Sequence, residues 1–409
     1  MDNNKRAFFE LVKAGLFPVH CEGVMFHDSL FKDVDWNEVY QLAQEQSVQG
    51  LVLQGIEWFN NHNHNVLETS GTSERARADL DLNIPKVFLL QWIGEVQMIE
   101  QRNKEMNAFV ADLIEKLRKK DIYALLVKGQ GVAQCYEKPL WRSCGDVDLF
   151  LSYDKYEKAK KLLIPLASSV ESERLSVLHL GLTLDGWVVE LHGSLRVGLP
   201  QRINRVLGDI QEDTFYRGNV RSWLNGQTQI FMLGKENDIF YVFVHFFNHF
   251  YKEGVGLRQI CDWCRLMWTY KDSLNYGLLE SRIKRTGLIS EWKAFYNLAS
   301  RYLGMPDLGS QDSQARMSDH GSSARLMVHD SRFDKKADRI MEFILKSGNM
   351  GHNRDMSHFS KYPYLIRKCV SMGRRISDLI NHARIFPLDS LRFFPYIMFN
   401  GVRSAIRGE

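Results

Sequence analysis

The sequence predicts an α+β fold in which a small mixed-sheet core stands between N-terminal and C-terminal helical regions. Three observations lead there. Apolar residues recur at three- and four-residue spacing before about residue 120 and again after about residue 225, which is the helical period. Between these regions, short apolar runs bounded by glycine, proline and aspartate alternate with a lysine-rich helical stretch. The chain has 409 residues and is 44% hydrophobic and 25% charged, so it is long enough to bury real cores and too ordinary in composition for a disordered or fibrous protein.

Residues 1–118 make the first helical region. Ala7, Phe8, Phe9, Leu11 and Val12 start an amphipathic helix. A second opens at Asp35, an N-cap with Glu38 three residues on, and continues through Val39, Leu42, Ala43 and Val48. The polar stretch 60–81 reads as a loop or a frayed end. A long helix follows Pro85, a residue suited to a first helical turn, and Trp92, Val96, Met106, Val110, Leu113 and Leu117 mark its apolar stripe. It closes on Arg118-Lys119-Lys120, cations that oppose the dipole of a helix C-terminus.

The period changes in residues 119–225, the expected α/β core. Residues 122–127 form an apolar run of strand length. Lys128-Gly129-Gln130-Gly131 interrupts it, and a short helical segment at 132–136 leads to Pro139. Residues 146–151 read as a second strand and 153–166 as a helix. Strands at 175–184 and 187–191 form a hairpin around Asp185-Gly186, a two-residue turn. Helices return in 226–305, with strong ones at 238–252 and 257–270 joined by Gly254-Val255-Gly256. Residues 306–335, rich in Ser, Asp, Gly and Arg, read as a linker or loop, and 336–409 as a basic helical tail.

The 53 Lys and Arg against 49 Asp and Glu leave a formal charge of +4, too small over this length for a dedicated nucleic-acid binder. Residues 355–409 hold nine Lys and Arg against four Asp and Glu, so the basicity belongs to the tail. There the aromatic run 393–399, flanked by Arg384, Arg392, Arg403 and Arg407, could touch an anionic membrane surface or pack its aromatic face on the body. The sequence contains no leader-like apolar segment and no transmembrane run, and its six scattered cysteines form no disulfide framework. A cytoplasmic protein with free thiols is expected.

The strongest chemical signal is Asp146-Val147-Asp148 on a strand. Side chains two apart share a face, so the two carboxylates stand side by side and call for a cation. Mg²⁺ suits them, because it takes one or two carboxylates and completes its shell with water and phosphate oxygens. Gly129 and Gln130 lie where a strand gives way to a helix, so free amides there can hold phosphate oxygens. Gly145 precedes the Asp pair, and Lys128 and Arg142 supply positive charge for a polyphosphate. Glu190 offers a third carboxylate, with His192 on the same face of its strand.

A second cluster lies on the helix at 238–252, where His245 and His249 belong to a polar stripe on an otherwise apolar surface. Arg258 and Asp262, four apart on the next helix, can face it. This reads as an acceptor or base pocket, or as a structural polar seam. Cys261 and Cys264 make a lone CxxC that could imitate a zinc or redox site with the two histidines, although no second pair accompanies it.

Lys128-Gly129, Tyr136, Pro139, Arg142, then Gly145-Asp146-Val147-Asp148-Leu149 and Val188-Val189-Glu190-Leu191-His192 resemble the uncharacterised nucleotidyltransferase family of the DNA polymerase β-like superfamily. The Asp35-Trp36 helix and the His245, His249 and Asp262 segment are also similar, so the likeness covers most of residues 1–270. It implies a nucleotidyltransferase-like core in which Asp146, Asp148 and Glu190 bind two Mg²⁺ ions and Gly129-Gln130 is the triphosphate turn. Gln130 departs from the small residue usual there, which removes a hydroxyl-type phosphate contact. The implied activity is transfer of an NMP from an NTP to a hydroxyl or phosphate acceptor, a small molecule or sugar. The alternative is a non-catalytic module on the same fold that binds a nucleotide or phospho-ligand.

Overall fold

Asp2 opens helix α1 (Asn3–Leu16) by accepting a hydrogen bond from Lys5 N at 2.9 Å. A short α2 (Pro18–Cys21) follows, and Asp35 caps α3 (Trp36–Glu45) through Asn37 N at 2.9 Å. The computed structural model describes residues 2–21, 30–69, 82–252, 254–308, 326–349, 363–395 and 399. The helix expected to run on through Val48 ends instead at Glu45. Ser47 takes a φ of 55° and α4 (Gln49–Thr69) sets off anew. Gln46, buried at this corner, accepts from Leu257 N at 3.1 Å, a residue 211 places away that periodicity cannot sense. Helix α4 carries through 60–69, part of the stretch expected as a loop, while 70–81 lie outside the described residues. Helices α1 and α4 cross closely: a Cβ on Gly15 would meet Leu51 O at 2.0 Å, and one on Gly55 would meet Leu11 O at 2.0 Å.

The long α5 (Lys86–Arg118) leads into β1 (Leu125–Val127), α6 (Gly129–Ala133), β2 (Asp146–Phe150) and α7 (Tyr153–Leu163). Then come β3 (Ser169–Val170), β4 (His179–Leu184), β5 (Trp187–His192), α8 (Gln201–Phe215), β6 (Val220–Asn225) and β7 (Thr228–Leu233). The seven strands form one sheet in the order β3-β4-β5-β2-β1-β7-β6. Strand β2 runs parallel to β5 and β1 parallel to β7, and the remaining neighbours are antiparallel, so the sheet is mixed and the fold α+β, as expected. The β6–β7 hairpin straddles residue 225, and the sheet runs on to Leu233, past the expected edge of the core. An Asn225-Gly226 turn signal was present, but β6 is a half-exposed edge strand and neither strand carries a strong apolar run.

Strand alternation sorts the sheet into two faces. Leu126, Val147, Leu149, Val189, Leu191 and Ile230 pack under the second half of α5, in one core. Leu125, Val127, Phe150 and Leu233 face a second and larger core, built with the helices on both sides of the sheet in sequence. These include α9 (Lys235–Lys252), α10 (Leu257–Tyr270), α11 (Tyr276–Thr286) and α12 (Ile289–Leu303). Helix α1 packs on α12 as well as on α3 and α4, so N-terminal and C-terminal helices share this core.

After α12 come α13 (Asp334–Ser347), α14 (Tyr364–Ile385) and further helical residues 387–395. Most of the expected linker lies outside the described residues, which resume at 326. Of the aromatic run, Phe393 is buried against Tyr251 with ring centroids 4.8 Å apart, whereas Phe394 and Phe399 are exposed. Residues 396–398, Arg403 and Arg407 lie outside the described residues. Among the described residues no helix is long and apolar enough to cross a membrane.

A buried carboxyl pair joins 387–395 to α12. Burial and then the neighbouring Asp389 push Glu291 up to about 9, so it holds a proton at neutral pH and is bonded to Asp389. Asp389 in turn takes Arg202 Nη2 at 2.9 Å. A folded-state value raised above the ordinary 4.5 means that this stability is complete at low pH and fades as the pH climbs toward 9. Glu291→Gln, neutral at every pH, is therefore expected to flatten the fall in Tm between about pH 6 and pH 9, raising Tm at the alkaline end by about 3 °C or more. Parallel alkaline slopes in thermal melts of parent and variant would refute it.

Candidate active site

Strand parity and register assemble the site. Asp146 and Asp148 alternate with the buried Val147 and Leu149, so both carboxylates leave the α5 face for the opposite one. Asp148 lies beside Glu190 in the parallel β2–β5 register, and Asp146 beside Val188. Ligand atoms of Asp146, Asp148 and Glu190 lie within 4.8 Å of one another. His192 shares their face. Its Nε2 is 2.8 Å from Asp148 Oδ1 and 3.4 Å from Glu190 Oε2.

Lys128, between β1 and α6, takes φ 57° and ψ −147°, a conformation rare for a residue with a side chain and costing about 1–3 kcal/mol. Gly129 follows at φ 41°, and a Cβ there would press on Cys144 Sγ at 3.3 Å. This turn brings Lys128 Nζ to 2.7 Å from Asp148 Oδ1 and 3.4 Å from His245 Nε2. His249 Nε2 stands 3.1 Å beyond, on the same His245 nitrogen. Because an ammonium only donates, His245 Nε2 accepts from Lys128.

The charges respond to one another. The Asp148 charge, and then burial, raise Asp146 above the usual carboxylate range. Burial alone would lift Glu190 too, but hydrogen bonds from His179 and His192, with the Lys128 charge, hold it far below that range. Burial would lower His192, yet its bonds to Asp148 and Glu190 raise it, which favours the imidazolium. Burial would likewise lower Lys128, and the charges of Asp148, Tyr241, Asp146 and Glu190 more than offset that. His245 goes the other way: burial and the Lys128 charge keep it neutral.

The remaining residues singled out by sequence fall into two groups. Arg258 lines the recess between Lys128, Asp146, Asp148 and His245, and it donates Nη1 to Ser143 O at 2.6 Å. Gly145 is exposed just before β2 and outside the lining of the recess, and a Cβ there would touch nothing. Arg142 and Asp262 also line the recess but are spent on each other. Nε and Nη2 donate to the carboxylate at 2.9 and 2.6 Å, and Tyr136 OH adds a third bond at 2.7 Å. The guanidinium expected to meet a polyphosphate is thus already forked onto a carboxylate from α10, which loop and helix could not reveal separately.

Gln130 offers the recess its backbone alone. Its side chain is buried and donates to Asn103 Oδ1 on α5 at 2.7 Å, away from the recess, so only its backbone amide remains for a phosphate. The helix there is also shorter and earlier than expected, five residues from Gly129, which leaves a small dipole. The stripe on α9 divides as well: Asp238 pairs with Arg221 of β6 at 2.5 Å, far from the role of an acceptor pocket. Cys261 and Cys264 are fully buried on α10, burial pushes both thiols up, and the metal-capable groups among the described residues contain no cysteine.

Two residues escaped sequence reasoning. His179 Nε2 is 3.0 Å from Glu190 Oε2, and Arg174 reaches His179 Nδ1 from Nη2 at 2.8 Å and Nε at 3.2 Å. Counting back from the Asp185-Gly186 turn would have paired position 179 with 192, as the register does.

The oxygen donor set fits a hard divalent cation. Three carboxylates converge, and the Asp146 side chain has no hydrogen-bond or ion-pair partner among the described residues. The recess offers about 90 Å³, room on the order of three waters at ~30 Å³ each. The model of a family described as uncharacterised nucleotidyltransferase matches residues 32–304, more than half of the chain. No curated protein and no solved structure matches it.

Proposed function

The chain belongs to the uncharacterised nucleotidyltransferase family, and from that membership we propose that it moves an NMP from an NTP to a hydroxyl or phosphate acceptor at a Mg²⁺ site held by Asp146, Asp148 and Glu190. The observation that carries this reading is the unpartnered Asp146 carboxylate, which the Asp148 charge raises even with Lys128 seated on Asp148, so a further cation between the carboxylates would relieve it. Bound there, Mg²⁺, with two ions expected, would supply neutralisation of the triphosphate and alignment of attacking and leaving oxygens.

The chain's own residues do the rest. Lys128 and His192 each hold Asp148 Oδ1, fixing that carboxylate in one orientation. Glu190, kept ionised by its imidazole donors, is too weak a base to hold the acceptor proton and serves as the third carboxylate toward the cation. Arg258 brings positive charge to the recess, and Gly129, Gln130 and Gly145 contribute backbone close to where phosphates would lie. His245 and His249 form the acceptor side. The recess is far smaller than the roughly 300–1,000 Å³ of ordinary ligand pockets, so base and ribose lie beyond it.

A second reading has observations of its own. Arg142 is consumed by Asp262 and Lys128 rests on Asp148, so both cations expected to meet a polyphosphate are engaged elsewhere. These features favour a module that binds a nucleotide or phospho-ligand without turnover. Pyrophosphate release from a panel of NTPs with Mg²⁺, parent against the Asp146→Asn/Asp148→Asn double variant, separates the two. Release by the parent that the variant loses is the expected result. NTP binding without release across hydroxyl and phosphate acceptors overturns the transferase.

A further inference from the structure

Two of the three carboxylates of the site, Asp148 and Glu190, have a nearest imidazole donor of their own. Asp148 has His192 Nε2 at 2.8 Å, and His192 is farther from Glu190, at 3.4 Å. The nearest imidazole donor to Glu190 is His179, 3.0 Å away and buried. A guanidinium carries only N–H donors, so the His179 Nδ1 that faces Arg174 must be the lone-pair nitrogen. The proton of the neutral ring then lies on Nε2 and points at Glu190. The loop enforces this: Arg174 N donates to His179 O at 2.9 Å, and His179 N returns to Arg174 O at 3.3 Å, so one bridge pins both side chains at the mouth of β4.

We infer that Arg174 and His179 are positioning residues for Glu190: the guanidinium fixes the tautomer of the imidazole, and the imidazole N–H fixes one carboxylate oxygen. The other oxygen is left for the cation. The inference rests on the reading of Glu190 as the third carboxylate of the site. It also disposes of a competing reading. His179, Glu190 and His192 lie within 4.8 Å of one another, close enough to suggest a histidine-rich metal site of their own. His179 has no lone pair to give, because Nδ1 is taken by Arg174 and Nε2 carries the proton. Partners of this kind commonly set metal affinity by 10–100-fold without touching the ion.

Mn²⁺ binding, read by the electron paramagnetic resonance of the free ion and with no nucleotide present, tests the inference on the full chain. Glu190→Gln and His179→Ala are each expected to weaken Mn²⁺ binding about tenfold or more. His179→Gln keeps an N–H for Glu190 and an oxygen for Arg174, and it should stay within about threefold of the parent. Weakening by Glu190→Gln without weakening by His179→Ala overturns the positioning role and leaves the carboxylate site standing. Equal weakening by the alanine and glutamine variants also overturns it, since packing rather than the N–H would then matter. No effect of Glu190→Gln removes Glu190 from the site and the inference with it. Should the alanine variant fail to fold, ¹⁵N spectra of the unaltered protein decide: an Nε2–H tautomer for His179 is expected, and an Nδ1–H tautomer refutes it.

Discussion

Asp262→Ala is expected to lose about 3–5 kcal/mol of folding stability in urea denaturation. Asp262 is 5% exposed and accepts three hydrogen bonds, from Arg142 Nε, Arg142 Nη2 and Tyr136 OH. Removing it leaves a guanidinium that is 8% exposed and still donates Nη1 to Ser143 O at 3.1 Å. Desolvating both charges has already consumed much of their attraction, so the large cost comes from stranding one of them. Arg142→Met/Asp262→Leu is therefore expected to recover much of the loss, because it strands no charge and leaves only the neutral Tyr136 hydroxyl without its acceptor. The pair also ties α10 to the loop that delivers Asp146, so the alanine variant should lose divalent-cation binding along with stability. A loss below about 1 kcal/mol would show that the pair is solvated and that α10 does not brace this loop.

Asp146→Asn and Asp148→Asn should agree in one assay and disagree in another. Each removes a ligand charge, so each is expected to cost Mg²⁺-dependent turnover on the order of 10³-fold, about 4 kcal/mol of transition-state stabilisation. In stability without divalent cations they diverge. Asp148 holds Lys128 at 2.7 Å and His192 at 2.8 Å, and its loss leaves both buried cations facing a neutral amide, at a cost of about 3 kcal/mol. Asp146 holds nothing and is raised above 3.8 by the Asp148 charge and by burial. A raised carboxylate contributes fully only at low pH and becomes a liability as pH rises through its folded-state value. Asp146→Asn should therefore melt higher than the parent at neutral pH in chelator, and gain less from added Mg²⁺. If the two variants destabilise equally, Asp146 has a partner in solution and the argument for a cation site weakens.

The site was partly legible because strand chemistry is local. Two aspartates at i and i+2 on a buried strand must share a face whatever surrounds them, and the hairpin turn at Asp185-Gly186 settles which residues of β4 and β5 meet. Glu190 and His192 followed from the same parity. Gln130 did not. Its place after Gly129 suggested a backbone contact to phosphate but not where the side chain goes, which Asn103 decides, 27 residues earlier on another helix. Arg142 was misjudged for the same reason, its partner being 120 residues downstream. The end of the first long apolar pattern at Glu45 rather than Val48 is likewise set by Gln46 meeting the start of α10.

What the sequence determined by itself is what depends on neighbours along the chain: helical period, strand parity, caps and turns, and hence an α+β fold with two aspartates side by side. What only the tertiary structure decided is the pairing of charge. Lys128 lies on Asp148, Arg142 on Asp262, and Arg174 behind His179 and Glu190. A buried ionic group has no preferred partner until packing excludes water and brings opposite charges within reach, and that proximity depends on elements distant in sequence. The sequence thus named most of the charged groups around the recess, and the fold chose which of them remain free to meet a ligand.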